Sequence, residues 1–272
     1  MSTVSAPARP SRISLAVRDS STMLRRNLLH VRRYPSLTLN LLLTPVMLLL
    51  LFVYIFGDTM SAGIGGGGGD RSQYLAYIVP GIVMLTIGGT TIGSAVSVAM
   101  DMNEGIIARF RTMAIHRGSV LIGHVLGSVI QCVMSVLLVG AVAVAIGFRS
   151  TDATALEWLL AIGLVALVSL ALTWIAVAMG LSSPNAEAAS NNALPLMVLP
   201  LLSSAFVPLD AMPGWFRPVA EYQPFTPAIE TLRGLLLGSE IGHNGWLAVG
   251  WAVALAVLGY FWSKSLFNRD PK

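Results

Sequence analysis

The chain has 272 residues, of which 55% are hydrophobic and 11% are charged, with a mean hydropathy of +0.74 and a formal net charge of +4. Soluble domains carry about 25% charged residues, so this composition excludes an ordinary soluble domain and predicts a membrane protein. The one cysteine, Cys132, excludes a disulfide framework within the chain.

Residues 1–36 are predicted to form a cytoplasmic tail that contains an amphipathic helix. Apolar residues recur there at helical spacing, among them Ile13, Val17 and Leu24, and the arginines lie off that stripe. Such a helix lies in the membrane interface with its arginines towards lipid headgroups. The lipid bilayer is therefore the first partner that the sequence predicts.

Six stretches without Asp, Glu, Lys or Arg follow, each of at least 19 residues. About 20 apolar residues cross a hydrocarbon core of roughly 30 Å, and backbone groups in lipid must pair within a helix, so each stretch predicts a transmembrane helix. The predicted fold class is an all-α membrane protein, with a six-helix membrane domain at 37–263 and a cytoplasmic tail at 264–272. The spans are predicted at 37–57, 74–100, 119–148, 158–181, 191–209 and 245–263.

Basic residues are distributed unequally between the two sides of these spans. Thirteen of the 17 lysines and arginines fall before the first span, between the second and third, or after the sixth, and four fall in the opposite loops. Loops rich in basic residues stay in the cytoplasm. We therefore predict a multi-pass bacterial cell-membrane protein with both termini cytoplasmic, and the positive charge requires no nucleic-acid partner.

The second span is rich in small residues, and the third carries a stripe of polar residues. In the second, Gly89 and Gly93 are four residues apart and permit close helix contact. In the third, polar residues recur along one face: His124, Ser128, Gln131 and Ser135. Polar stripes in membranes face a bundle interior or a cavity, so this one either makes interhelical hydrogen bonds or lines a translocation path.

The fifth span is predicted to be bent and to lie beside a cavity. Pro195 and Pro200 each remove a backbone hydrogen bond, and Ser203 and Ser204 add polarity. These two serines join the polar stripe as candidate residues of the translocation path.

A short outer helix is predicted between the fifth and sixth spans. Thr226 suits an N-cap, Pro227 the first helical position and Gly238 the stop, which gives a helix of about eleven residues. Glu230 and Arg233 can pair at i, i+3. A helix of this length cannot span, so it either re-enters the membrane domain from the outer side or lies on the surface.

The loop between the second and third spans, residues 101–118, predicts a cytoplasmic amphipathic helix. Asp101 and Glu104 form a capping-box pattern, and Gly118 suits the helix end. Its apolar ridge includes Ile107, Phe110 and Met113. From periodicity alone, this helix either lies passively on lipid or fits its ridge into a groove of a cytoplasmic partner.

No cofactor site is predicted in the chain. The glycine-rich loop at 63–70 lacks the Gly-Lys-Ser/Thr ending of a phosphate-binding loop. The sequence also lacks the HExxH and GxSxG motifs and paired intramembrane aspartates. These absences disfavour an intramembrane enzyme.

Two stretches resemble permeases of the ABC-2 type transporter family, in its daunorubicin-resistance (DrrB-like) drug-export class. They are NEGIIARFRTMAIHRGSVLIGHVLG at 103–127 and LPLLSSAFVPLDAMPGWFRPVAEYQPFTPAIETLRG at 199–234. The second includes a pattern of four residues: Pro224, Thr226, Glu230 and Arg233. The resemblance covers nearly the whole chain, and one departure is Ala114, where relatives often have proline.

The resemblance implies that residues 101–118 are a coupling helix, which contacts a separate ATPase subunit. The residues placed at or beside this contact are Glu104, Ile107, Arg109, Phe110, Arg111 and Met113. The resemblance also implies two copies of the ATPase, which carry ATP and Mg²⁺, and a second permease copy in a homodimer.

The predicted function is ATP-driven export of an amphipathic drug, antibiotic or lipid-like molecule by alternating access. A first alternative is export of a lipid-linked polysaccharide, which related permeases perform. It requires a continuous aromatic-lined channel, and the aromatic residues show no obvious periodicity. A second alternative is an ion-coupled secondary transporter, which needs an ionisable residue in the bundle, where His124 is the only candidate.

Overall fold

The computed structural model of the chain describes residues 35–57, 71–105, 117–149 and 153–268. Eight α-helices form in these ranges, which confirms the all-α class. In chain order they are α1 Pro35–Leu51, α2 Arg71–Asn103, α3 Arg117–Ala145, α4 Ala155–Ser182, α5 Ala186–Val198, α6 Arg217–Tyr222, α7 Phe225–Leu237 and α8 Asn244–Phe267. The predicted interfacial helix before residue 35, the glycine-rich loop and most of the predicted coupling helix lie outside the described residues.

Four of these helices are long and apolar enough to cross a membrane. Their spanning parts are Ser72–Asn103, Leu121–Ala145, Ala155–Ser182 and Asn244–Phe267. They overlap the second, third, fourth and sixth predicted spans and continue past the apolar stretches at one or both ends. In the first predicted span, α1 continues as a π-helical turn at Phe52–Phe56, and the apolar helix Leu43–Phe56 is shorter than the other four.

In the predicted fifth span at 191–209, which the sequence predicts to be bent, the α-helix covers only the first part. α5 ends at Val198, and the chain continues as a 3-10 turn at Leu199–Leu202 and then as irregular turns. Pro200 causes this break because it has no N–H to donate and its ring clashes with the carbonyl four residues earlier. Pro195, by contrast, is accommodated inside α5. A helix of 13 residues is too short to cross the hydrocarbon core.

α2 lies at the centre of the bundle. It is the most buried of the four candidate spans, and it contacts α1, α3, α4, α5 and α7. Its close contacts with the α5 region involve Gly81 and Gly88, where an added Cβ would collide with Ala205 and with the backbone at Leu196. At Gly89, by contrast, nothing in the described part of the chain lies within 4 Å of an added Cβ. The glycines of α2 indicated that another helix approaches it closely. Which glycine lies at the contact depends on the shape of the surface that faces α2.

α8 packs against α4 through small residues on one face. Ala248, Ala252, Gly259 and Ser263 are buried and recur at helical spacing. Such residues let two membrane helices approach closely. The Ser263 hydroxyl also donates to the Trp174 carbonyl of α4 at 3.1 Å.

Adding one methyl group at Gly259 is expected to destabilise the protein. A Cβ there would lie 2.8 Å from backbone and side-chain atoms of Trp174, and overpacking of this kind costs about 1–3 kcal/mol. Gly250, on the same helix, has nothing within 4 Å of an added Cβ. Thermal unfolding in detergent should therefore show a lower melting temperature for Gly259→Ala and an unchanged or higher one for Gly250→Ala. Equal melting temperatures for the two variants would contradict this packing.

Candidate functional site

Arg233 of α7 lies at the centre of a polar cluster at one end of the bundle. Its Nη1 contacts Glu230 Oε1 at 2.5 Å, which confirms the predicted i, i+3 pair. Its Nη2 donates to the backbone carbonyls of Tyr77 and Ser204 at 3.1 and 3.2 Å. Its Cζ also lies 4.0 Å from the centre of the Tyr77 ring. One side chain thus joins α7 to α2 and to the turn after α5.

The end of the helix at α5 explains why hydrogen-bond donors surround the turn that follows it. Carbonyls beyond the end of α5 have no α-helical donor, and lipid offers no water to replace one. The Ser204 carbonyl accepts from the Tyr77 hydroxyl at 2.9 Å as well as from the guanidinium. The Leu202 carbonyl accepts from Gln223 Nε2 at 2.6 Å. The cluster therefore pairs backbone groups that the proline break leaves without helical partners.

Thr226 links α6, α7 and the same turn. The structure begins α7 at Phe225 with Pro224 at the N-cap and no capping side chain, so the predicted N-cap at Thr226 is wrong. The Thr226 hydroxyl instead donates to the Ala220 carbonyl at 2.5 Å and accepts from the Ser204 N–H at 3.3 Å. The Thr226 hydroxyl therefore bonds to other elements of the fold and does not cap its own helix.

α7 is buried between other helices. It contacts α2, α4 and α8, and ten of its 13 residues are buried. Gly238 ends it with a left-handed φ of +66°, as the sequence predicts. This burial favours a helix that enters the membrane domain over one that lies on its surface, although α7 has 13 residues where the sequence predicted about eleven.

A second polar contact lies between the last turn of α2 and the second turn of α3. His124 Nε2 lies 2.9 Å from Asp101 Oδ2, and each side chain is 13% exposed. The predicted capping box is wrong, because α2 runs through Asp101 and the Glu104 N–H donates to the Met100 carbonyl. The predicted helix end at Gly118 is also wrong, since that residue lies in the first turn of α3.

The rest of the polar stripe on α3 lies beside its most exposed face. Ser128 and Gln131 are half-buried, whereas Ser135 is buried and donates to the Gln131 carbonyl at 3.0 Å. The exposed side of α3 is apolar and includes Ile122, Leu126, Ile130 and Met134. His124 therefore makes the interhelical contact that one alternative predicted, and a transport role for Ser128 and Gln131 stays a prediction.

The structure separates the predicted path residues into two groups. Tyr77 and Asp101 are 24 residues apart on α2, which places the two polar contacts about 36 Å apart along the helix. This distance exceeds the roughly 30 Å thickness of a hydrocarbon core. His124 therefore lies towards one end of α2, and Ser203 and Ser204 lie towards the other.

Most hydroxyl groups in the buried part of the bundle are hydrogen-bonded to nearby carbonyls. Four in α2 donate to carbonyls three or four residues earlier: Thr86, Thr90, Thr91 and Ser94. The Ser203 hydroxyl donates to the Pro200 carbonyl at 2.5 Å. Within the described ranges, two buried side-chain atoms have no partner, Ser204 Oγ and Arg233 Nε. Both atoms lie in the cluster around Arg233.

The predicted ATPase contact is only partly described. Glu104 is exposed in the turn that follows α2. The other predicted contact residues lie outside the described residues: Ile107, Arg109, Phe110, Arg111 and Met113. The Asp101–His124 contact joins the two helices that lead into and out of this stretch.

Sequence reasoning missed Tyr77 and Gln223. A signal for such residues was available, because an arginine in an otherwise apolar helix needs several acceptors and a broken helix needs donors. The chemistry of both contacts is hydrogen bonding and ion pairing. No group of three or more His, Cys, Asp or Glu side chains in the described part of the chain could hold a metal ion.

Comparison with known proteins gives consistent matches over most of the chain. The family described as ABC-2 type transporter matches residues 19–237. The chain is 27% identical over 238 residues to "Daunorubicin resistance ABC transporter permease protein DrrB1" of Streptomyces coeruleorubidus, covering 87% of this chain and 81% of the relative. It is 29% identical over 206 residues to "Probable doxorubicin resistance ABC transporter permease protein DrrC" of Mycobacterium tuberculosis, covering 68% and 73%. "Nodulation protein J" of Rhizobium meliloti is 25% identical over 233 residues, covering 80% and 82%.

Proposed function

Because the chain belongs to the ABC-2 type transporter family, in its DrrB-like class, we propose that it is the permease subunit of an ATP-driven exporter. The observation that carries this proposal is the family match across most of the chain. The four long apolar helices support it, because a permease must surround a route across the bilayer. The location that we propose is a bacterial cell membrane, with both termini cytoplasmic.

The proposed substrate is an amphipathic drug, antibiotic or lipid-like molecule. Relatives named for resistance to daunorubicin and doxorubicin support this class. The hydrogen bonds of the buried hydroxyl groups also support this substrate class. The α2 hydroxyls donate to their own helix, so they offer a sugar chain few free donors.

The energy for export is proposed to come from a separate ATPase subunit, present in two copies and carrying ATP and Mg²⁺. The predicted coupling helix lies between α2 and α3, and Phe110 would be its central anchor in an ATPase groove. The Asp101–His124 contact supports this arrangement, because it ties the ends of α2 and α3 together on either side of the coupling helix. A push on that helix would then move both spans.

We propose that two copies of the permease assemble as a homodimer, so that two coupling helices meet two ATPase subunits. ATP binding would draw the ATPases together, and the spans would rock between inward-open and outward-open states. The Arg233 cluster supports closure of the outer end, because it joins α2, α7 and the turn after α5. Outward opening would require this cluster to separate or to move as one unit.

The purified chain is expected to show no ATP hydrolysis by itself, whereas hydrolysis should appear when the ATPase subunit is added. The physical reason is that the chain has no phosphate-binding loop ending in Gly-Lys-Ser/Thr. Phosphate release from the purified chain, the purified ATPase and their complex is the measurement. Hydrolysis by the chain alone, at a rate near that of the complex, would contradict the proposal that a separate subunit hydrolyses ATP.

Cysteines at Ser72 and Asn244 are expected to react with an impermeant thiol reagent added outside intact cells, and one at Ser2 should not. The excess of basic residues before the first span motivates this orientation. Cys132 is 1% exposed, so the native thiol gives little background. Labelling of Ser2→Cys in intact cells, with Ser72→Cys and Asn244→Cys protected, would reverse the orientation.

A further inference from the structure

The 213–222 segment, which precedes α7, presents an apolar face with no partner in the described part of the chain. Its helical hydrogen bonding begins before α6, since the Arg217 N–H donates to the Pro213 carbonyl at 3.0 Å. Trp215, Val219 and Tyr222 are four and three residues apart, so they lie on one side of this helical segment. Their side chains are 81%, 62% and 58% exposed.

Polar groups of the segment lie on the opposite side. Arg217 Nη2 lies 2.7 Å from Asp210 Oδ1, and both side chains are well exposed. At 100° per residue, Arg217 and Glu221 are rotated away from the face that Trp215 and Val219 share. The segment is therefore amphipathic, with an aromatic-rich face and a charged face.

A hydrogen bond fixes the depth of this segment against α8. Trp251 Nε1 donates to the Tyr222 carbonyl at 3.0 Å. The exposed Trp246 lies at the start of α8. Trp251 follows it by five residues, which is about 7–8 Å further along the helix axis. Because α8 is a candidate span, Tyr222 lies beside the second turn of a membrane helix rather than beyond its end.

The exposed surface of α8 continues this apolar face. Trp251, Val249 and Val253 are 39–48% exposed on a helix that is long and apolar enough to cross a membrane. Tyr222 O is also a carbonyl of the last turn of α6, which lacks an intrahelical donor. The Trp251 indole N–H supplies the donor for that carbonyl.

We propose that the 213–222 segment is a membrane-interface anchor whose partner is phospholipid. Trp215, Val219 and Tyr222 insert among lipid headgroups and upper acyl chains, and the Arg217–Asp210 pair faces water. Tryptophan and tyrosine are the side chains that membrane interfaces favour. Since α7 follows directly, the anchor sets the depth of the Arg233 cluster in the bilayer. This inference depends on neither the substrate nor the ATPase.

Spin-label accessibility tests the anchor in the full-length chain. A nitroxide is attached at Val219→Cys in a Cys132→Ser background, with Glu240→Cys, in the exposed loop between α7 and α8, as the matched control. Both proteins are placed in vesicles of phosphatidylcholine and phosphatidylglycerol. Collision rates are then measured with oxygen, which concentrates in lipid, and with a water-soluble nickel chelate.

The label at residue 219 is expected to collide several-fold more with oxygen than with the nickel chelate, and the label at 240 should show the reverse. Trp215→Cys should repeat the result for residue 219 and covers the case in which one variant folds poorly. Nickel-dominated collisions at both 215 and 219 would overturn the proposal in favour of a water-facing loop. Low collision rates with both reagents would overturn it in favour of a protein partner, such as a second copy of the chain.

Discussion

Replacing Phe110 by alanine is expected to weaken binding of the ATPase subunit roughly thirtyfold, as for loss of about 2 kcal/mol at an interface hot spot. Large aromatic side chains near the centre of an interface carry much of the binding energy, and Phe110 is the one aromatic residue on the predicted apolar ridge. Hydrolysis should therefore uncouple from drug export while the membrane domain stays folded. Co-purification of the tagged permease with the ATPase, and drug-stimulated hydrolysis, are the measurements.

The neighbouring arginines supply the controls. Arg109→Ala and Arg111→Ala should have smaller effects that diminish further at high salt, because exposed charges are screened. A helix that lies passively on lipid predicts a different outcome for Phe110→Ala: less lipid contact but a fully bound ATPase. Wild-type co-purification together with normal drug-stimulated hydrolysis would rule out the coupling assignment.

Replacing Arg233 by alanine is expected to cost about 1–3 kcal/mol of stability, because it leaves part-buried hydrogen-bonding groups without their partner. The Arg233 side chain is 13% exposed, and its removal leaves Glu230 without its ion-pair partner. It also removes a donor from the carbonyls of Tyr77 and Ser204. The expected result is a large fall in folded yield and melting temperature, measured by size-exclusion chromatography and thermal unfolding in detergent.

Two further variants distinguish the effect of the Arg233 charge from the effect of its planar guanidinium group. Arg233→Lys should be intermediate, because an ammonium group keeps the charge but lacks the planar fork that reaches several acceptors. The double variant Arg233→Met with Glu230→Leu should be more stable than Arg233→Ala, since it leaves no carboxylate without its ion-pair partner. If Arg233→Ala unfolds at the wild-type temperature, the cluster does not hold α7 in place.

Features set by the membrane itself could be predicted from the sequence. Charges are costly in hydrocarbon, so charge-free runs located four helices that the structure forms. Contacts within one helix could also be predicted, as for the pair of Glu230 and Arg233. The end of α7 at Gly238 could be predicted because the backbone there adopts a left-handed conformation that favours glycine.

Features set by contacts between distant elements could not be predicted. The run at 191–209 is free of charges like the others, but whether Pro200 bends or ends the helix depends on donors from α2, from α7 and from Gln223 after α6. Asp101 fits a local capping pattern and instead contacts His124, 23 residues away. Thr226 likewise bonds α6 rather than its own helix. In each case a tertiary partner outcompeted the local one.

Transport into vesicles shows whether this chain provides the membrane route of an ATP-driven drug exporter. Daunorubicin uptake is measured in inside-out vesicles that contain the permease, the ATPase subunit, or both, each with ATP and Mg²⁺. We predict uptake only when both proteins and hydrolysable ATP are present, and its loss with Phe110→Ala. Uptake by the permease alone under an ion gradient, or equal uptake with and without the permease, would contradict the account.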